Sequence, residues 1–335
     1  MTIISSLLLM VGKLYSHKKR KQNVKKSKKK KVKTYYLKKI MTDEQIAQKE
    51  GHYFDSKTYK YIIKSDTDGY SIDSNGKKKL LFRFRKKVIP KHLTDIGIQQ
   101  LKKAAMKKHD NRGAAAGLLD LKQLPTYVDV DTIKPFMGKY RVKAFYSNVS
   151  GKYIKQTIGN MSQSNIIGYF DRADRNLGKG APPCRKTAFT AKQVKKWENV
   201  IPLIQAIDKQ FKKLVPTFYK KQYDRAHKTK FVIDNTAFST ITINYNWRTA
   251  LHKDAGDYQE GFGNLIVLEE GKYKGGYTGF PQYGVAIDVR NGDFLAMNVH
   301  EWHSNTEIKP ITKEYSRLSL VSYLREGMLR CSSMK

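Results

Sequence analysis

The clearest periodic segment of the chain lies between Thr190 and Ala226. Val194, Trp197, Ile201, Ile204, Ile207, Phe211, Leu214 and Phe218 recur close to every 3.6 residues. This predicts a helical region whose apolar stripe packs against a sheet. Thr190 and Gln193 have capping-box spacing at its start, and Pro202 and Pro216 predict a kink or break. Leu93 to His109 carries a second helical pattern. Tyr59–Lys64, Ser71–Gly76 and Leu80–Lys86 read as short strands, with Asn75-Gly76 as a hairpin turn. Beyond residue 228 the period changes to two. Ile241, Ile243, Tyr245, Trp247 and Leu251 alternate with Thr242, Asn244, Asn246, Arg248 and His252. Gly263–Leu268, Val285–Val289, Phe294–Val299 and Leu318–Leu324 are further strands, and Arg290-Asn291-Gly292-Asp293 is a turn between two of them. No helix-length pattern separates these strands. An α+β chain with antiparallel pairing, in a sandwich or barrel, is therefore expected over a parallel sheet.

Charge changes the picture more than size does. The 335 residues contain 65 Lys plus Arg against 29 Asp plus Glu, a formal charge of +36. The first 40 residues hold 14 Lys or Arg and no acid, leaving +22 on the body. Residues 1–40 are expected to be a disordered basic arm, acting as a nuclear address, a phosphate-binding tail or a merely solvated run. Residues 41–160 form an extension of strands plus a helix, 161–328 the core with its supporting helices, and 329–335 a tail. A polyanionic partner, most simply nucleic acid, fits a body that stays basic without its arm. Two cysteines, Cys184 and Cys331, exclude a disulfide framework and a four-cysteine zinc site and suit a reducing, intracellular setting. The apolar run Ile3–Val11 is shorter than a membrane span and no basic region precedes it, so neither a stable span nor a secretory signal is expected.

His252-Lys253-Asp254 is an H-x-D pair. In a strand, residues i and i+2 share a face, so imidazole and carboxylate can reach one metal. His303 follows a later strand, and two His with one carboxylate form the facial triad that leaves iron with open positions. His300, three residues earlier, competes for the distal role; the small Ser304 after His303 favours the latter. Arg317 and Ser319 share a face of the last strand and offer a guanidinium fork and a hydroxyl, suited to the distal carboxylate of 2-oxoglutarate. An unbroken strand would also point Asn244, Asn246, Arg248, His252 and Asp254 into one cavity, with Ile241, Ile243 and Tyr245 against the helical layer. Asn111-Arg112-Gly113-Ala114-Ala115-Ala116-Gly117 is a small-residue segment where backbone can approach a partner closely. The Gly-rich basic loop Gly271–Tyr277 is either a lid or a surface loop. An H-x-D pair alone is common by chance; its conjunction with a second His and Arg-x-Ser on successive strands is not.

These residues resemble the TET/J-binding-protein family of 2-oxoglutarate- and Fe(II)-dependent dioxygenases. The likeness runs through Asn244–Asp254, Gly263-Asn264-Leu265, Gly275-Gly276, Phe280-Pro281, Val285–Asp293, His303 and Arg317–Tyr323, with Gly168–Arg172 and Pro183–Thr187 upstream. It implies a double-stranded β-helix, jelly-roll or cupin-like, supported by helices on one face. It implies Fe(II) on His252, Asp254 and His303, 2-oxoglutarate on Arg317 and Ser319 with Asn244 beside them, and O2 as oxidant. The reaction implied is hydroxylation of the methyl group of thymine or 5-methylcytosine in DNA, in the nucleus if the host is eukaryotic. Asp257 stands where relatives place a base-facing polar residue, or else caps a loop. Arg172 and Arg185 would touch co-substrate or phosphate, or form structural ion pairs. The same ligand set also suits a protein side-chain hydroxylase, and the charge alone a non-enzymatic DNA-binding barrel.

Overall fold

A computed structural model of the protein describes residues 31–171 and 183–331. All elements below belong to the compact unit Val32–Lys335. The strands are β1 (Lys33–Leu37), β2 (Tyr61–Ile63), β3 (Thr67–Ile72), β4 (Lys78–Arg85), β5 (Ser162–Asp171), β6 (Cys184–Lys186) and β7 (Thr240–Tyr245). They continue with β8 (Gly263–Glu270), β9 (Thr278–Phe280), β10 (Val285–Ile287), β11 (Phe294–Met297), β12 (Ser304–Asn305) and β13 (Ser316–Tyr323). The main helices are α1 (Lys91–Ala105), α2 (Val194–Leu214) and α3 (Pro216–Ala226). The large sheet runs β1-β3-β4-β11-β8-β13-β7-β5-β6, and a smaller one runs β12-β9-β10-β2. Pairing is antiparallel except at β1–β3 and β2–β10, which are parallel. Two facing sheets with helices against the larger one are the expected β-helix core.

Strand alternation divides the large sheet between two cores. Ile266 and Leu268 of β8, Ile241 and Ile243 of β7, and Leu318 and Leu320 of β13 pack with Leu101, Ile204, Ile207 and Phe211 of the helices. Tyr245 is partly buried against the same cluster, as its period predicts. Leu265 and Val267 turn the other way, to Phe82, Phe84, Phe280, Val285 and Leu295 between the sheets. Burying each such side chain contributes about 1.5–3 kcal/mol, so a one-residue slip would exchange both faces and lose both cores.

Several boundaries differ from the sequence reading. Residues 33–37 are not part of a disordered arm: β1 pairs with Thr67–Ser71, and Tyr36 stacks on Tyr70 at 5.7 Å. The run Ile3–Val11 lies outside the described residues; among the described residues no helix is long and apolar enough to cross a membrane. The α2 stripe is preceded by a separate short helix capped by Thr187, whose hydroxyl accepts from the Thr190 amide. Thr190 is therefore not the cap; its hydroxyl accepts from the Gly168 amide at 2.8 Å. Pro202 sits inside α2 without ending it, while Pro216 opens α3. Cys184 and Cys331, though too few for a framework, are buried together and joined as one disulfide.

Candidate metal and co-substrate site

The chain leaves the β7 ladder at Asn246, whose φ is +45°. Its side chain accepts from the Arg317 amide at 2.7 Å and donates to the Tyr315 carbonyl at 3.2 Å, which locks the turn. The alternation expected through residue 254 therefore breaks here. Asn246 and Arg248 do not line the cavity that Asn244, Trp247 and Thr249 line. Arg248 instead pairs with Asp55 at 2.7 Å. Beyond the turn the strand pattern resumes locally. The amides of His252 and His303 each donate to the other's carbonyl at 3.0 Å, and the Asp254 amide donates to Val299 at 3.0 Å. This bridge brings His303 to His252 and Asp254, about fifty residues earlier in the chain.

His252 Nε2 lies 3.6 Å from Asp254 Oδ1, and His303 Nε2 lies 3.7 Å from Oδ2. The three ligand atoms fall within 4.8 Å of one another. Each ring is oriented by its other nitrogen: His252 Nδ1 donates to the Ala250 carbonyl at 2.8 Å and His303 Nδ1 to Glu301 at 2.9 Å. Both Nε2 lone pairs are thereby turned toward the carboxylate, the tautomer a metal needs. Burial, with the neighbouring His252, pulls His303 down to about 4, so it is neutral at physiological pH. His300 points elsewhere, its Nε2 lying 3.1 Å from the Tyr258 carbonyl. Two imidazoles presenting Nε2 and one carboxylate within reach of one point fit Fe(II).

A cavity of about 480 Å³ opens beside this cluster. Asn244 and Ser319 meet on one of its walls, with Asn244 Nδ2 donating to Ser319 Oγ at 3.3 Å. Asn244 Oδ1 accepts from Ser164 at 2.5 Å. Arg317, two residues along the same face of β13, is 1 % exposed and is the largest fully buried side chain. Its Nη2 donates to the Gly276 carbonyl at 3.0 Å, while Nε is enclosed with no partner. Arg317 does not itself line the cavity but lies one two-residue step beyond Ser319; a buried, incompletely satisfied guanidinium is costly unless a carboxylate completes it, so a keto-diacid whose distal end reaches past Ser319 fits this side. The Gly271–Tyr277 loop is an ordered ladder rather than a lid. Tyr273–Gly275 pairs with Ile308–Pro310, and a Cβ on Gly276, at φ +69°, would lie 3.1 Å from Arg317 Nε.

Among the other expected residues, Asp257 lines the cavity, buried, with Oδ2 unpartnered. Burial, then the neighbouring Asp254, pushes its pKa well above the ordinary carboxylate value. Arg185 is exposed on the edge strand β6 and does not line the cavity. Arg172 lies outside the described residues. Several lining residues escaped the sequence reading, among them Arg112, Tyr323 and Arg325. The last two carry the signal that found Arg317 and Ser319, the same two-residue step continued along the strand. Arg112 had the small-residue segment around it as its marker.

Residues 165–326 match the Tet_JBP family, described as the oxygenase domain of the 2OGFeDO superfamily. Thymine dioxygenase JBP1-B of Trypanosoma cruzi (strain CL Brener) is 34% identical over 227 residues, 65% of this chain and 25% of that protein. Thymine dioxygenase JBP1 of Crithidia fasciculata is 32% identical over 229 residues, 67% of this chain and 26% of that protein. The chain thus spans about a quarter of the length of these curated relatives. A solved structure of NgTET1 in complex with 5mC DNA aligns with a TM-score of 0.47 and 13% identity, covering 86% of this chain and 92% of that one. Residues 165–326 thus match the oxygenase domain of the TET/JBP family, within the superfamily of 2-oxoglutarate- and Fe(II)-dependent oxygenases.

Proposed function

We propose that the protein is a dioxygenase that hydroxylates the methyl group of a pyrimidine base, thymine or 5-methylcytosine, in DNA. The observation that carries this reading is the convergence of His252, Asp254 and His303 beside a cavity that Asn244 and Ser319 also line, with Arg317, its Nε unpartnered, one two-residue step beyond Ser319 on the same strand face. The names of the curated relatives, thymine dioxygenases, support a methylated pyrimidine as the target.

In this reading His252, Asp254 and His303 hold Fe(II). Arg317 and Ser319 take the distal carboxylate of 2-oxoglutarate, with Asn244 beside them. Bound iron supplies O2 activation coupled to decarboxylation of 2-oxoglutarate to succinate and CO2. The chain's own work is positioning and exclusion of water. The backbone bridge fixes the two imidazoles, the carbonyls of Ala250 and Glu301 fix their tautomers, and Arg317 would hold the distal carboxylate of the co-substrate. A methyl inside a duplex cannot reach a cluster recessed in a cavity, so the base is extruded before reaction. The formal charge of +36 grips phosphates, with steeply salt-dependent affinity. DNA as substrate places the protein inside the cell, and in the nucleus of a eukaryotic host.

The test is turnover by the full chain with Fe(II), 2-oxoglutarate, O2 and duplexes containing thymine or 5-methylcytosine. Succinate and a hydroxymethylated base are expected in equal amounts. Succinate formation indifferent to DNA but raised by a peptide would transfer the chemistry to a protein side chain. Failure to retain iron after anaerobic loading would leave a DNA-binding barrel without catalysis.

A further inference from the structure

The Tyr323 end of the cavity contains an incompletely satisfied guanidinium. Arg112 lines the cavity, and its Nε is enclosed with no hydrogen-bond partner. It comes from the segment before β5, outside the residues matched by the oxygenase family. Its charged neighbours are Tyr323, Asp254 and Arg325. Ser319 and Tyr323 are four residues apart on β13, about 13 Å along a strand. Arg112 therefore faces the Tyr323 end, while Ser319 lines the other.

We propose that Arg112 determines which base the cavity accepts, donating to O4 of the extruded pyrimidine, the position where 5-methylcytosine carries its amine, and so selecting thymine over 5-methylcytosine. This rests on the pyrimidine-methyl reading above and sharpens it. The argument is one of donors and acceptors. Thymine presents O4, N3–H and O2, that is acceptor, donor, acceptor. 5-Methylcytosine presents an amine in place of O4 and a bare N3. Around this end of the cavity stand Arg112 with an unused donor, Asp257 with an unpartnered Oδ2, and Tyr323. Burial pushes the Tyr323 phenol up to about 12, so it remains a protonated donor. Asp257 keeps an acceptor oxygen in either charge state and can serve either base. Arg112 cannot: a guanidinium has five donors and no acceptor, so the cytosine amine would meet N–H groups it cannot satisfy.

Arg112 is held for this task. The Ala115 carbonyl accepts from the Ala250 amide at 2.9 Å, and the Arg112 carbonyl accepts from the Ala115 amide at 3.2 Å. Arg141 Nη2 donates to the Asn111 carbonyl at 3.2 Å. The small side chains of Ala114–Ala116 permit this close approach. The segment carrying Arg112 is thereby stitched to the residue whose carbonyl orients His252, which fixes the guanidinium relative to the cluster.

The experiment is fluorescence anisotropy on the full chain, loaded anaerobically with Fe(II) and 2-oxoglutarate, at one salt concentration. The probes are two duplexes identical except for a thymine or a 5-methylcytosine opposite an abasic site. Wild type should bind the thymine duplex about tenfold or more tightly, and Arg112→Gln and Arg112→Ala should each bring the ratio close to one. Two variants are used so that a folding failure in one leaves the other to decide. A ratio equal to wild type in a folded variant would overturn the proposal. So would an unmoved ratio with weakened 2-oxoglutarate binding by calorimetry, which would place Arg112 on the co-substrate, and so would a wild type without thymine preference. An Arg112-dependent thymine preference without base oxidation in air would sink the oxidation reading alone. Oxidation without that dependence would sink this one alone.

Discussion

His252 and His303 are joined by a two-bond antiparallel bridge, 3.0 Å in each direction, that sets their rings 4.3 Å apart between centroids. The bridge lies outside the named strands. Its consequence is that ligand spacing is fixed by backbone, and the carboxylate of Asp254 completes a set already half built.

Replacing Asp254 by Ala should therefore abolish metal binding without unfolding the chain. Anaerobic equilibrium dialysis with Fe(II) should fall from one ion per chain to none, with turnover down by at least about 100-fold and an unchanged far-UV circular dichroism spectrum. Retention of one ion by the variant would show that other residues are the ligands.

Arg317 should behave as a binding group that costs stability until its ligand arrives. Arg317→Met removes an uncompensated buried charge, so the co-substrate-free protein should be as stable as wild type or up to about 4 kcal/mol more stable. The same variant should lose the rise in melting temperature that 2-oxoglutarate gives wild type. A variant that still gains thermal stability from 2-oxoglutarate would place the co-substrate elsewhere.

Gly276 supports Arg317 from below. A methyl there meets Arg317 Nε at 3.1 Å and forces a left-handed residue to carry a Cβ. Gly276→Ala should cost about 1–2 kcal/mol by urea unfolding and raise the KM for 2-oxoglutarate several-fold. A change in kcat with KM untouched would contradict this.

His303 gives a pH dependence whose sign is fixed. Its folded pKa of about 4 lies below the ordinary value of 6.5. The unfolded chain thus takes up a proton that the folded chain refuses between those values. The stability of the metal-free protein should fall as pH drops from about 6.5 to about 4, and His303→Gln should flatten that slope. Nitrogen NMR of the metal-free protein should find the His303 ring neutral at pH 6. A ring titrating near 6.5 would contradict the burial argument.

The parts of this molecule legible in the sequence are those governed by period. The α2 stripe, the alternation of Ile241, Ile243 and Tyr245, and the Arg317–Ser319 pair all follow from side chains repeating at 3.6 or 2 residues. What failed did so where the period breaks. The left-handed turn at Asn246 shifts the phase, so Arg248 leaves the cavity and Trp247 enters it. The tie between Ala115 and Ala250 joins residues 135 positions apart in the chain. No local pattern encodes such a contact, and Arg112 was therefore invisible as a cavity residue although its small neighbours were conspicuous. The pairing of β1 was missed because the lysines flanking it dominate the local charge, while the ladder uses backbone and tyrosines.

The most direct measurement is mass spectrometry of nucleosides from the DNA of cells producing the full chain, beside cells producing Arg317→Ala at equal level. A hydroxymethylated pyrimidine present with wild type and absent with the variant is the predicted result. Equal amounts of the oxidised base in both, or none in either, would contradict the account.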